Sequence, residues 1–193
     1  MHYILYIPGL GDERIAGQQK AVTFWRKYGV KPHVVQMYWA DGQPFAPKLK
    51  KITDLIDKLA INGDKISLIA VSAGASAALN AFALRTSQVH RVALICGEIR
   101  LGARIGTNFR RKNPAFVESK DYLHDSLAQL TQKDRARIVS YHPITDTMVP
   151  PSHTKLSGAT SKIMPAFGHF WGIAYGITLG AFGIIRWLKK DIH

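Results

Sequence analysis

The chain has 193 residues, 47% of them hydrophobic and 20% charged, which suits a single domain with a sheet covered by helices on both faces. Its formal net charge is +13, yet no helix-turn-helix, zinc-finger or RNP-type pattern accompanies it, which argues against specific nucleic-acid binding. The lone Cys96 excludes an internal disulfide, and the short apolar N-terminus reaches a glycine-containing turn too early for a signal peptide. The sequence therefore predicts a cytoplasmic protein.

Six segments rich in β-forming residues recur along the chain, and helical patterns separate most of them. The predicted strands are residues 2–7, 33–38, 65–71, 91–96, 137–141 and 161–165. Their apolar runs barely alternate with polar residues, as in parallel strands buried on both faces. Between the second and third strands, one helical face carries Leu49, Ile52, Leu55, Ile56 and Leu59. The pattern predicts an α/β fold with a doubly wound, six-stranded, mostly parallel sheet in one domain, residues 1–193.

The connection between the fourth and fifth strands is longer than a single crossover helix requires. Its first part is basic and contains glycine, without clear periodicity, whereas residues 114–133 have helical spacing of apolar residues. Two interpretations follow. The segment 98–133 is either a lid or cap that overhangs the strand ends, or it contains a long crossover helix.

The segment 68–79, LIAVSAGASAAL, predicts a strand that turns directly into a helix at Ser72. Small residues two positions before and after the serine allow the close packing that such a corner needs. A serine hydroxyl is a weak nucleophile, so acyl transfer requires a base and a third group that orients the base. Asp146, in a proline-flanked turn after the fifth strand, and His169, after the sixth, are predicted to supply these groups in the order expected for this kind of site.

An oxyanion in the transition state needs two backbone N–H groups aimed at it. One is predicted to come from Ala73, at the amino end of the helix after the serine, where the helix dipole also helps. The other is predicted to come from Leu10 in the turn after the first strand, because Gly9 and Gly11 leave that backbone unencumbered.

The assignments of the nucleophile, the acid and the base each have an alternative. The serine could serve only as a helix N-cap. Glu98, just past the fourth strand, is the rival acid, and His142 and His153 are the rival bases, although His153 is expected to lie near the site without joining it. Cys96 is interpreted as a buried strand residue rather than as a nucleophile.

With these motifs assembled, the chain resembles an α/β-hydrolase over nearly its whole length. The His-Gly-x motif of that family matches residues 8–10, with proline in place of histidine, and its G-x-S-x-G motif matches residues 70–74, with alanine first. The Asp-x-x-Val-Pro turn matches residues 146–150, and the Gly-His pair before the final helix matches 168–169. The chain starts where the third strand of the family would be, so the resemblance implies a minimal version without the first two antiparallel strands.

The resemblance implies a serine hydrolase, carboxylesterase or lipase-like, that cleaves an ester-type acyl bond of a small molecule through a covalent acyl-enzyme. It implies no metal and no organic cofactor. A thioesterase or peptidase with the same three residues is an alternative. A contrasting interpretation is a non-catalytic protein of the same fold that binds an anionic membrane or a partner.

Residues expected near the substrate fall into two chemical groups. Apolar contacts are predicted from Gly9, Leu10, Trp39, Phe45, Phe116, Phe170 and Trp171. An anionic portion of a substrate could instead be attracted by Arg100, Arg104, Arg110, Arg111 and Lys112. The sequence does not choose between the two.

The C-terminal segment predicts one last helix with glycine at positions 172, 176 and 180. Its uncharged run of residues 171–185 is shorter than the roughly 20 residues that span a bilayer. We expect the glycines to pack tightly against the sheet. The alternative is peripheral contact with an anionic membrane, helped by Arg186, Lys189 and Lys190 and by the segment 100–112. The oligomeric state cannot be read from the sequence.

Overall fold

The structure is a computed structural model that describes residues 1–102 and 106–190. Within these residues a single sheet of six parallel strands has the order β2-β1-β3-β4-β5-β6. The strands are β1 (His2–Ile7), β2 (Lys31–Val34), β3 (Lys65–Val71), β4 (Val89–Ile95), β5 (Ile138–Thr145) and β6 (Thr160–Phe167). Because all strands run the same way, their carboxyl ends meet at one edge, where ligands bind in open α/β sheets.

Helices cover both faces of the sheet, which confirms the predicted fold class. They are α1 (Ala16–Phe24), α2 (Phe45–Ala60), α3 (Gly74–Leu84), α4 (Thr107–Lys112), α5 (Pro114–Gln129), α6 (Gln132–Arg135), α7 (His169–Ile177) and α8 (Ala181–Leu188), with short 3₁₀ turns at Asp12–Arg14, Trp25–Tyr28 and Pro151–Thr154. Helices α2, α3 and α5 contribute to the core on one face of the sheet. Helices α1, α7 and α8 contribute to the core on the other face.

The second strand is the largest boundary error of the sequence prediction, which placed it at 33–38, whereas β2 is Lys31–Val34. Beyond it, the amides of Met37 and Tyr38 donate to Asp12 Oδ2 at 2.6 and 2.7 Å, and the amide of Trp39 donates to Asp12 Oδ1 at 3.2 Å. This carboxylate is buried, and it accepts hydrogen bonds from amides that would be available for pairing with the sheet in a longer strand. A side chain 25 residues earlier in the chain therefore ends the extended pairing.

The connection between β4 and β5 divides into a buried part and a surface part. Helix α5 packs against α3, where Ser119 Oγ lies 2.6 Å from Ser76 Oγ and the Ser119 carbonyl accepts from Asn80 Nδ2 at 2.8 Å. Helix α4 has no buried residue. The second half of the connection is therefore a crossover helix in the core, and a lid function for the 98–133 segment stays a prediction.

The C-terminal segment forms two helices rather than the single predicted one, and they meet at 62° after a break at residues 178–180. The break is closed locally, because the amides of Thr178 and Gly180 both donate to the carbonyl of Tyr175, at 3.2 and 2.8 Å. Among the described residues no single helix is long and apolar enough to cross a membrane, while α7 and α8 taken together meet that criterion by length and composition. Contact with an anionic membrane stays a prediction.

Two glycines of α7 do lie against the sheet. A Cβ on Gly172 would come within 2.8 Å of Cys96 Sγ and 3.2 Å of Pro143 Cγ, and one on Gly176 would come within 2.9 Å of Ile95 Cγ2. Such distances are too short for a carbon atom, so only glycine allows α7 to approach the strands this closely. The helix thereby fixes the position of its own first residue, His169.

Replacing Gly176 by valine is expected to lower the free energy of unfolding by about 2 to 3 kcal/mol, because the new side chain must displace Ile95 or the helix. The matched control is Gly183→Val in α8, where a Cβ meets nothing within 4 Å and the expected change stays within about 0.5 kcal/mol. Urea denaturation of both variants measures the difference. Equal stability of the two variants would contradict the close packing of α7.

Candidate active site

Ser72 lies directly after β3, at the point where the chain turns into α3. Its backbone φ is +50°, a left-handed value that costs a residue with a side chain roughly 1 to 2 kcal/mol. The conformation is held on both sides, since the Ser72 amide donates to the Ile95 carbonyl at 3.0 Å and its carbonyl accepts from the Ala75 amide at 3.1 Å. The surrounding backbone thus holds a strained corner that presents the hydroxyl at the carboxyl edge of the sheet.

A line of hydrogen bonds runs from this hydroxyl through His169 to Asp146. His169 Nε2 lies 2.9 Å from Ser72 Oγ, and His169 Nδ1 lies 2.7 Å from Asp146 Oδ2. Because a carboxylate only accepts, Nδ1 carries the proton, which leaves Nε2 free to accept from the serine. The side chains of both residues are buried, at 4% and 0% exposure.

Asp146 is held by its own turn. Its Oδ1 accepts from the amides of Met148 and Val149, each at 2.9 Å, so the carboxylate accepts three hydrogen bonds in total with that from His169. His169 is held by Gly168, whose φ of +79° is a left-handed value that glycine adopts freely and whose amide donates to the Thr145 carbonyl at 2.7 Å. Two loops that are separate in the chain therefore bring the acid and the imidazole together.

The turn after β1 packs backbone against backbone on the Ser72 corner. A Cβ on Gly9 would lie 2.8 Å from Ser72 Cβ, and one on Gly74 would lie 2.7 Å from the Pro8 carbonyl oxygen. Trp39 Nε1 donates to the same Pro8 oxygen at 3.1 Å. These contacts place Leu10 beside Ser72, on the wall of one cavity with Ala73.

A cavity of about 660 Å³ opens over Ser72 and His169. The described residues that line it are Leu10, Ser72, Ala73, Glu98, Arg100, Gly102, Gly106, Phe109, Phe116, Lys120, Met148, Val149, His153 and His169. The apolar share of this wall comes largely from leucine, phenylalanine, methionine and valine side chains. Its volume falls in the range of small-molecule sites.

The residues predicted to contact substrate are distributed unevenly around this cavity. Phe116 lines it, whereas Trp39 and Phe45 are fully buried outside its lining and stack on each other. Phe170 and Trp171 follow His169 on α7 but are about three-quarters exposed and do not line it either.

Of the predicted basic residues, Arg100 lines the cavity. Residues Arg110, Arg111 and Lys112 belong to α4 and do not line it. Arg104 lies outside the described residues.

Four polar residues on the cavity wall form what we term the charged cluster: Glu98, Arg100, Lys120 and His153. Lys120 was missed in the sequence, although it lies on the apolar face of its helix, four residues after Phe116 and three before Leu123. A lysine at such a position signals a buried charge. Burial lowers the pKa of Lys120 below its usual range, and Glu98 offsets part of this effect.

The rival residues lie elsewhere or have other partners. Glu98 accepts from His153 Nδ1 at 2.9 Å rather than contacting His169. His142 is a buried residue of β5 whose Nδ1 lies 3.0 Å from the Pro143 carbonyl.

Cys96, Asp146 and His169 bring three metal-ligating atoms within 4.8 Å of one another. However, burial raises the pKa of the Cys96 thiol to about 12, and Asp146 adds to this effect, so the thiol is protonated at neutral pH. A protonated thiol is a poor metal ligand, and the other two side chains already contact each other. The chemistry of these atoms favours proton transfer between Ser72 and His169 over metal binding.

The chain is similar to known proteins in its structure. No protein-family model matches the chain, and no curated protein sequence matches it. Among solved structures, one from work on LipS and LipT, two metagenome-derived lipolytic enzymes, superposes with a TM-score of 0.71 at 10% identity, over 98% of this chain and 94% of the other.

Two further solved structures superpose on this chain to a similar extent. A metagenomic carboxyl esterase, MGS0156, gives a TM-score of 0.71 at 16% identity, over 98% of this chain and 76% of the other. The ydeN gene product from B. subtilis gives 0.67 at 14% identity, over 99% and 100%. With six parallel strands in its described residues and helices on both faces of the sheet, the chain therefore has a minimal α/β-hydrolase fold.

Proposed function

We propose that this protein is a serine hydrolase that cleaves an ester-type acyl bond of a small molecule through a covalent acyl-enzyme. The observation that carries the proposal is the line of hydrogen bonds from Ser72 Oγ through His169 to the buried Asp146, at the wall of an open cavity. The lipolytic and carboxyl esterase names of similar structures support an ester ahead of a thioester or an amide.

In the first half of the proposed reaction, His169 Nε2 takes the hydroxyl proton while Ser72 Oγ bonds to the acyl carbon. The carbonyl oxygen becomes an oxyanion, which the amides of Leu10 and Ala73 stabilise. His169 then gives its proton to the leaving alcohol as the bond from carbon to the leaving oxygen breaks, which leaves the acyl-enzyme.

In the second half, a water molecule loses a proton to His169 and attacks the acyl carbon. Collapse of the second oxyanion breaks the bond to Ser72 Oγ, which recovers its proton from His169. Asp146 stabilises the imidazolium in both halves, because its Oδ2 lies 2.7 Å from Nδ1. No metal or organic cofactor takes part in this scheme.

A fluorophosphonate probe tests the proposal directly, since it reacts with an activated serine and not with an ordinary one. We expect one probe molecule per chain, located by peptide mass spectrometry on the peptide that contains Ser72. A matched panel of esters, thioesters and amides then orders the substrate classes, with esters expected to be cleaved fastest. The absence of labelling, or labelling at another serine, would contradict the proposed function.

A further inference from the structure

The charged cluster has a layout that sequence analysis did not anticipate. Lys120 Nζ donates to the carbonyl oxygens of Glu98 and Arg100, at 3.0 and 2.8 Å, and lies 3.6 Å from Glu98 Oε1. Its side chain is only 7% exposed. One buried ammonium from α5 therefore fixes the backbone of the segment that follows β4.

The same segment is fixed a second time through its side chains. Glu98 Oε1 accepts from the Arg100 amide at 3.0 Å, and Glu98 Oε2 accepts from His153 Nδ1 at 2.9 Å. Because His153 donates through Nδ1, its Nε2 accepts, and it does so from Arg100 Nη1 at 2.8 Å. Glu98 and His153 thus hold the Arg100 guanidinium in place on the cavity wall.

The balance of charge on that wall is positive. The negative charge of Glu98 is compensated by the nearby Lys120 ammonium, and His153 is neutral because it accepts at Nε2. Arg100 is then the cation in excess among the described residues that line the cavity. A guanidinium has five N–H donors. In the described part of the chain, the only hydrogen-bond partner of the Arg100 guanidinium is Nε2 of His153.

We propose that Arg100 binds a carboxylate carried by the substrate, so that the preferred substrates are esters with an anionic end. This inference rests on the proposed function and names its substrate class. The fork of a guanidinium matches the two oxygens of a carboxylate, and the positioned Arg100 loses little conformational freedom on binding. The apolar wall, including Phe109 and Phe116, then contacts the chain between the carboxylate and the ester.

Two pairs of phenyl esters test the inference: hydrogen glutarate against pentanoate, and hydrogen adipate against hexanoate. The members of each pair differ only by a terminal carboxylate in place of a methyl group. We expect the wild type to have the higher kcat/KM on the anionic member. We expect Arg100→Ala to lower that preference about 10- to 100-fold, chiefly through KM on the anionic ester.

Two variants control for charge and geometry. Arg26→Ala removes the same charge from an exposed site in the 3₁₀ turn after α1 and is expected to keep the wild-type preference. Arg100→Lys keeps the charge without the fork and is expected to give an intermediate preference. A wild type that cleaves the neutral esters but shows no preference, or an Arg100→Ala variant that keeps it, would overturn the carboxylate site and leave the proposed hydrolase intact.

Calorimetric titration with adipate itself gives a readout that needs no turnover. Binding to the wild type and to Arg26→Ala, with about tenfold or greater weakening in Arg100→Ala, would support the site even if none of the esters is cleaved. Failure to cleave any ester would count against the proposed function. Equal binding of adipate by all three proteins would overturn the inference.

Discussion

Replacing Ser72 by alanine is expected to lower kcat for ester hydrolysis by about 10⁶-fold, because His169 and Asp146 contribute little to catalysis without the nucleophile. The change removes one oxygen atom and keeps a β-carbon at the same strained backbone position, where φ is +50°. We therefore expect the variant to fold as the wild type does, with the same thermal midpoint within a few degrees. Initial rates on a neutral phenyl ester measure the effect.

Ser161→Ala is the matched control for that experiment. Ser161 is an exposed residue near the start of β6, at the amino end of the sheet and opposite the Ser72 edge. The same atom is removed, and wild-type turnover is expected. A Ser72→Ala protein that keeps full ester hydrolysis would be incompatible with Ser72 as the nucleophile. An equal loss in Ser161→Ala would contradict an effect specific to Ser72.

Asp146→Asn is expected to lower kcat by about 10⁴-fold while the fold is retained. The asparagine oxygen can still accept from the amides of Met148 and Val149, so its NH₂ group then faces His169 Nδ1. The imidazole must accept at Nδ1 and carry its proton on Nε2, where it can no longer take one from the serine. Pre-steady-state release of phenol measures the loss in the acylation step.

Glu98→Gln provides the comparison, because Glu98 was the rival acid in the sequence. Its carboxylate contacts His153 and the Arg100 amide instead of His169, so its removal is expected to act mainly on KM for anionic esters. A larger fall in kcat for Glu98→Gln than for Asp146→Asn would reverse the assignment of the acid.

Features that depend on local pattern could be predicted well. Strands β1 and β3 were placed at their observed bounds, since long apolar runs bounded by turns have few competing interpretations. The sequence also predicted that Ser72, Asp146 and His169 would meet, and the structure brings them within hydrogen-bonding distance. Chain order and the common edge of a parallel sheet suffice for that prediction.

Features that are set by particular side-chain contacts without a motif could not be predicted. The end of β2 follows from the Asp12 carboxylate, 25 residues earlier than Met37. The break between α7 and α8 was missed as well, although its hydrogen bonds to the Tyr175 carbonyl are local. Lys120 joins Glu98 across 22 residues, and no short motif announces such a pair. Trp39 was expected beside the substrate but is buried against Pro8, because aromatic residues near a site also support its backbone.

The close approach of Gly9 and Gly74 to the opposite backbone has a consequence for how such a protein could be redesigned. The two amides proposed to stabilise the oxyanion belong to the main chain, and their position depends on interlocked turns rather than on the side chains of Leu10 and Ala73. Those two residues, together with Arg100 and Phe116, contribute to the wall of the cavity. The oxyanion donors are thus main-chain atoms and the cavity wall is made of side chains, so the accepted acyl group can be altered at Leu10, Ala73 and Phe116 without removing either proposed oxyanion donor.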